Sequence, residues 1–288
     1  MRNLPHQQLE ETMRVPVLER IAAAVSAAGA IALSGSPAHA GPTTIIYINS
    51  SSGALYSYDA GNAYAESLVN SSTGAFSISS GPLGNTLYIQ SSGGSLSTFN
   101  LLTNIQTTVG GNVPGNALGE GRDGFLYAGS GSSLYKVNPA TGSSTLVGSG
   151  TYGYAGDIAV DPTDLTAMYG AVSAGTGVSL VRIDKSTGAQ TMVGSFGIAS
   201  SSSIFGLGFS LDGTLYAAGP TGATGGIYTL NKATGAATLA KSVSYQPYDM
   251  ATQPFDRQEP NPVPEPATGA LVGVALAGLA LSLRRRMR

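Results

Sequence analysis

Two short stretches concentrate the side chains able to do chemistry in this 288-residue chain. GEGRDG at 119–124 sets Glu120, Arg122 and Asp123 side by side, and DIAVDPTD at 157–164 holds Asp157, Asp161 and Asp164. Paired carboxylates are the working groups of glycoside hydrolysis, and clustered Asp oxygens suit calcium. A simpler reading competes. Asp123, Asp164 and Asp212 fall at one place in successive repeats, just before a recurrent tyrosine, so a shared turn role accounts for all three without a site. On that reading the sequence assigns no catalytic residue, no cofactor and no metal.

What surrounds these clusters restricts the chemistry further. Cysteine is absent, and the two histidines, His6 and His39, both precede Gly41. Residues 1–40 have the form of a secretory signal: Arg14 and Arg20 flank the apolar run 21–33, and SGSPAHA places Ala38 and Ala40 where signal peptidase needs small residues, with Gly41 as the new N-terminus. Glu10 and Glu11 are unusual in such a leader, which points to Met13 as the true start. Once the leader is removed neither imidazole nor thiol remains, so Ser-His-Asp and Cys-His relays and His- or Cys-bound metals cannot be built. Between Gly41 and Val263 there are 12 acidic against 7 basic residues, a net of −5, the wrong sign for a nucleic-acid partner.

The elements that would position these residues follow from an internal repeat. Tyr47, Tyr88, Tyr127, Tyr169 and Tyr216 recur at spacings of 41, 39, 42 and 47, and each is followed 11 to 15 residues later by Asp59, Asn100, Asn138, Asp184 or Asn231. Each unit parses as an anchor strand, a Gly/Ser turn, a strand ending in Asn or Asp, a tight turn such as KATG, and another strand. The Asn or Asp side chain caps its turn, and Gly142, Gly188 and Gly235 supply positive φ. A fourth strand, as in GDIAVDPTD or FGLGFSLDG, links the units.

Four strands per roughly 42 residues is the blade of a β-propeller, so the expected fold is all-β with about five four-stranded blades over 41–256. YDMATQPFD, near the end of the repeats, supplies a strand that the first unit lacks, and it can complete that blade and remove an open edge. Over 42–256 the pattern resembles the WD-repeat and YVTN-type propeller superfamily, without its signature dipeptides or Trp. A stack of β-sandwich modules and a β-solenoid stay as alternative folds. The anchor tyrosines are expected to pack between blades, with sugar stacking as an alternative, and the sequons at Asn49 and Asn70 carry little meaning if the host is bacterial.

After a linker at 257–263 comes the C-terminal segment 264–288. Residues 267–283 make an apolar run of 17, about 25 Å as a helix and at the short end of what spans a bilayer. Arg284, Arg285 and Arg286 would hold its end in the cytoplasm. A plain anchor leaves Pro264, Glu265 and Pro266 unexplained, and Pro-Glu-Pro, apolar run and basic tip in this order resemble the PEP-CTERM sorting domain.

That resemblance implies a Gram-negative host and export through its inner membrane, with only transient residence there. It also implies processing by an exosortase and release to the surface or an exopolysaccharide matrix. The expected protein is thus a non-catalytic surface or matrix propeller binding polysaccharide or another protein. The alternative is an extracellular carbohydrate-active enzyme using paired carboxylates.

Overall fold

The computed structural model describes residues 44–81, 84–175, 177–198, 204–221 and 224–253. Five antiparallel four-stranded sheets form the blades of a propeller. From inside to outside, blade 1 is β20 (Pro247–Thr252), β1 (Ile45–Ser50), β2 (Leu55–Asp59) and β3 (Ala65–Asn70). Blade 2 is β4 (Ser77–Ser80), β5 (Thr86–Gln90), β6 (Leu96–Asn100) and β7 (Ile105–Gly110), and blade 3 is β8 (Ala117–Glu120), β9 (Leu126–Ser130), β10 (Ser133–Val137) and β11 (Ser144–Ser149). Blade 4 is β12 (Tyr154–Asp161), β13 (Asp164–Ala174), β14 (Gly177–Asp184) and β15 (Gln190–Ser195). Blade 5 is β16 (Gly206–Phe209), β17 (Leu215–Thr221), β18 (Thr224–Leu230) and β19 (Ala237–Val243).

The strand expected near the end of the repeats is β20. It completes blade 1 as its innermost strand and closes the ring, pairing β1 from Ile46↔Thr252 to Asn49↔Asp249. The residues expected to form the signal and membrane helices lie outside the described residues.

Sequence fixes the local geometry at two recurrent points. In the turn after the third strand, Asn138, Asp184 and Asn231 accept the backbone N–H two residues on at 2.8–2.9 Å, and Gly142, Gly188 and Gly235 take φ of 68°, 73° and 80°. All five outer strands carry the same bulge. Its extra residue is Val69, Val109, Val147, Val193 or Ala240, as the register slip opposite each shows. The bulge turns Val69, Val109, Val147 and Val193 inward against the core and twists an exposed edge away from further pairing.

The core lies between blades. Each of five apolar clusters bridges one interface, and each contains an anchor tyrosine of the leading blade: Tyr47, Tyr88, Tyr127, Tyr169 or Tyr216, all at most 9% exposed. At three interfaces the outer strand of one blade meets the turn of the next backbone to backbone, pairing Gly111 with Gly142, Gly148 with Thr187–Gly188, and Gly194 with Thr234–Gly235. Ring closure between blades 5 and 1 uses aromatics instead. Tyr56 stacks on Tyr245 at 4.5 Å, and Tyr58 OH donates to Glu66 and contacts Tyr245 OH.

A Cβ on Gly148 would stand 1.9 Å from Thr187 O, whereas one on Gly177 meets nothing within 4 Å. Gly148→Ala is therefore expected to cost about 1–3 kcal/mol in urea unfolding, with Gly177→Ala close to wild type. Equal midpoints for the two variants would remove the close approach as a determinant of blade packing.

Candidate functional site

The inner strands β20, β4, β8, β12 and β16 neighbour one another around the axis. As sheet edges, they turn backbone N–H groups toward it. Two buried aspartates at one level accept them. Asp157 Oδ1 takes Leu118 N–H at 2.8 Å, Oδ2 takes Leu207 N–H at 3.3 Å, and the carboxylate also takes Ile158 N–H. Asp249 Oδ2 takes Ile78 N–H at 2.8 Å and Ser77 Oγ–H at 2.5 Å, while Oδ1 takes Met250 N–H at 2.8 Å. One amide from each blade is thereby satisfied by two side chains. The space that remains beside them is about 20 Å³, bordered by Ser79, Ser80, Glu120, Asp157 and Thr252 among others, and is the size of one water.

Of the two acidic stretches picked out in the sequence, Glu120 of the first and Asp157 of the second border the same axial space. Asp157 and Asp161 sit at opposite ends of the axial run of β12, about 13 Å apart at the strand rise of roughly 3.3 Å per residue. Asp161 accepts Lys232 from blade 5 at 2.8 Å, and Asp164 accepts Arg182 at 2.8 Å. Asp123 accepts Lys136 at 3.0 Å and Tyr127 OH at 2.9 Å, with Lys185 of blade 4 at 3.6 Å. Glu120 lies by the axis and accepts Ser80 Oγ–H at 3.2 Å. Arg122 takes φ 55° in the turn before Asp123.

Asp123, Asp164 and Asp212 share one contact, each accepting the N–H two residues on, from Phe125, Thr166 and Thr214. Burial pushes Asp123 and Asp161 up, but the hydrogen bonds and charges of their lysines outweigh it and hold both carboxyls below the usual range. Hydrogen bonds from Thr166 and Arg182 lower Asp164, and one from Ser210 lowers Asp212. Asn49 is fully buried, so its sequon is not accessible in the folded ring.

Strand direction gives the ring two unlike faces. One carries the turns after the first and third strands of each blade, and with them Asp59, Arg122, Asp123, Asp161, Asp164, Asp184, Lys185, Asp212 and Lys232. The other carries the loops 51–54, 71–76, 91–95, 111–116, 131–132, 150–153 and 244–246. Among the described residues these hold no Asp, Glu, Lys or Arg. They are mostly Ser, Thr, Gly and Asn, with a few aromatics and small apolar residues. Asp249 escaped sequence reasoning altogether, although YDMA and GDIA place it and Asp157 at matching positions of two inner strands. Pro264, Glu265, Pro266, Arg284, Arg285, Arg286, Ala38, Ala40 and Gly41 lie outside the described residues.

Comparison with known proteins bears on both ends of this description. Residues 262–286 match the PEP-CTERM protein-sorting motif, so the chain carries a C-terminal sorting signal that marks it for export and processing by an exosortase. No curated protein matches the chain in sequence. The body is similar in fold to a chain of a nidogen/laminin complex, at TM-score 0.50 and 8% identity, covering 74% of this chain and 98% of that one. It is also similar to Kuenenia stuttgartiensis hydrazine synthase (TM-score 0.42, 22% identity, 60% of this chain) and to Acinetobacter baumannii TolB (TM-score 0.44, 16% identity, 68% of this chain). It spans about half of each of those two, 49% and 52%.

Burial, with the neighbouring Asp249 charge second, holds the Asp157 carboxyl well above its ordinary range despite its amide donors, and burial does the same to Asp249. A carboxyl raised on folding contributes stability that is complete below its unfolded pKa of about 4 and is lost as pH rises through the folded value. The unfolding free energy from urea melts is expected to fall from pH 5 to pH 8, by at most about 1.4 kcal/mol per pH unit for each carboxyl, and Asp157→Asn should flatten the fall. Asp157→Ala, which leaves three amides without their acceptor, should cost about 2–4 kcal/mol. A pH-independent wild type would contradict protonation on the axis.

Proposed function

We propose that the protein is a non-catalytic propeller, exported and sorted to the cell surface or extracellular matrix, where the ring binds matrix polysaccharide. The observation that carries the non-catalytic part is the engagement of the carboxylates. Asp123, Asp161 and Asp164 each hold a lysine or arginine, and Asp157 and Asp249 hold the axial amides. A glycosidase needs two carboxyl groups about 5–10 Å apart across a space that admits a sugar, and the axial space beside Asp157 and Glu120 has room for about one water. The export part is supported by the sorting motif.

In this reading the tail is removed at the motif. Pro on both sides of Glu265 keeps that residue extended and suited to a protease cleft. The changes Pro264→Ala, Glu265→Gln and Pro266→Ala keep the apolar length and the arginines on which membrane insertion depends. The triple variant is expected to retain Arg288 and accumulate in the inner membrane, while wild type loses the tail and moves outward. Mass spectrometry of surface-exposed wild-type protein from an exosortase-bearing host decides the matter, and an intact Arg288 there would establish a permanent anchor.

A further inference from the structure

Three aromatic side chains from three blades meet at the centre of the uncharged face. Tyr248 is 36% exposed; its ring lies 5.6 Å from that of Phe205 at 13° and 5.7 Å from that of Phe76 at 55°. Each directly precedes the first axial residue of its inner strand, Ser77, Gly206 or Asp249, so the cluster sits over the mouth of the axis. Its backbone is fixed. Phe76 N–H donates to Gln90 O at 2.9 Å and Phe205 N–H to Ala218 O at 3.1 Å. Tyr248 is the extra residue of a bulge between the pairs Ser50↔Pro247 and Asn49↔Asp249, a device that re-aims a side chain. The fold thus holds large apolar rings partly in water where burial would have been favourable.

We propose that Phe76, Phe205 and Tyr248 form a stacking platform for a neutral polysaccharide chain; the inference rests on the reading that the ring binds polysaccharide. A pyranose offers C–H faces to aromatic rings and hydroxyls to the Ser, Thr and Asn side chains of the loops around them. An acidic polymer would be drawn to Lys and Arg, and those described stand on the opposite face or, for Lys241, on the outer strand β19. The described chain begins at Thr44 and ends at Gln253 on the charged face, where Gln253 N–H donates to Ile45 O at 2.6 Å. The described chain therefore leaves the ring, toward the sorting motif at 262–286, on the side away from the platform.

The test is affinity electrophoresis of the exported chain through gels containing a neutral β-glucan, a neutral galactomannan or alginate. A neutral polymer is expected to retard wild type. Tyr248→Ala and Phe205→Ala should each weaken binding about tenfold, the scale of one lost aromatic anchor. Tyr248→Phe should preserve binding, and Lys136→Ala on the other face should leave it unchanged. Thermal unfolding checks that the variants fold.

Should an alanine variant fail to fold, Tyr248→Trp decides the question. The chain has no tryptophan, so a change in indole fluorescence with the retarding polymer reports contact at the platform, and an unchanged signal overturns it. Retardation that survives loss of Tyr248 and Phe205 overturns the platform and leaves polysaccharide binding standing. So does retardation by alginate alone, abolished by salt. Retardation by none of the three polymers overturns both.

Discussion

A ring of five inner strands has to dispose of the amides along its inner edges, and every other feature of this propeller is arranged around how that is done. An edge strand normally shows its N–H groups to water or to another strand. Here five such groups converge on an axis with room for about one water. Two carboxylates replace the water. The remaining residues at that level, Ser77, Ala117 and Gly206, are small, and a Cβ on Gly206 would stand 2.3 Å from Met250 N. Five identical repeats could not do this, because five carboxylates on one axis would repel and remain desolvated. The sequence divergence of the repeats at this position is therefore required by the closed ring.

Around that axis the repeats do behave alike, and this is the part of the fold that was legible. The tyrosine period, the Asn or Asp cap and the turn glycine are local signals, each acting within a few residues of where it is written. The bulge shared by the outer strands was not legible, since Thr-Val-Gly or Leu-Val-Gly reads equally well as the regular end of a strand. Its purpose depends on the neighbouring blade: valine turns into the interface, and the glycine after it, Gly148 or Gly194, admits the next blade's turn. Such contacts join segments some forty residues apart and leave no trace in either segment alone.

The acidic clusters are the opposite case, in which carboxylates close in sequence take up different roles. Asp157 and Asp161 are near neighbours along the chain, but an extended strand carries them to opposite ends of the ring. There one meets amides and the other meets Lys232 from the next blade. The true partner of Asp157 in function is Asp249, on the strand that closes the ring. Matching GDIA to YDMA was possible in principle, but it required knowing that both strands are innermost, which strand pattern does not reveal.

Closure also determines which way the molecule faces. Because β20 is innermost and antiparallel to β1, it runs toward the same face from which β1 starts, so both ends of the described chain leave from the charged side. The sorting motif at 262–286 follows in sequence the strand that completes the ring. β20 is held along its length by its ladder with β1, and Asp249 fixes the strand's far end to Ser77 and Ile78 of blade 2. The buried aspartate that satisfies the axial amides therefore also fixes the strand that closes the ring, so the axis and the closure depend on one residue.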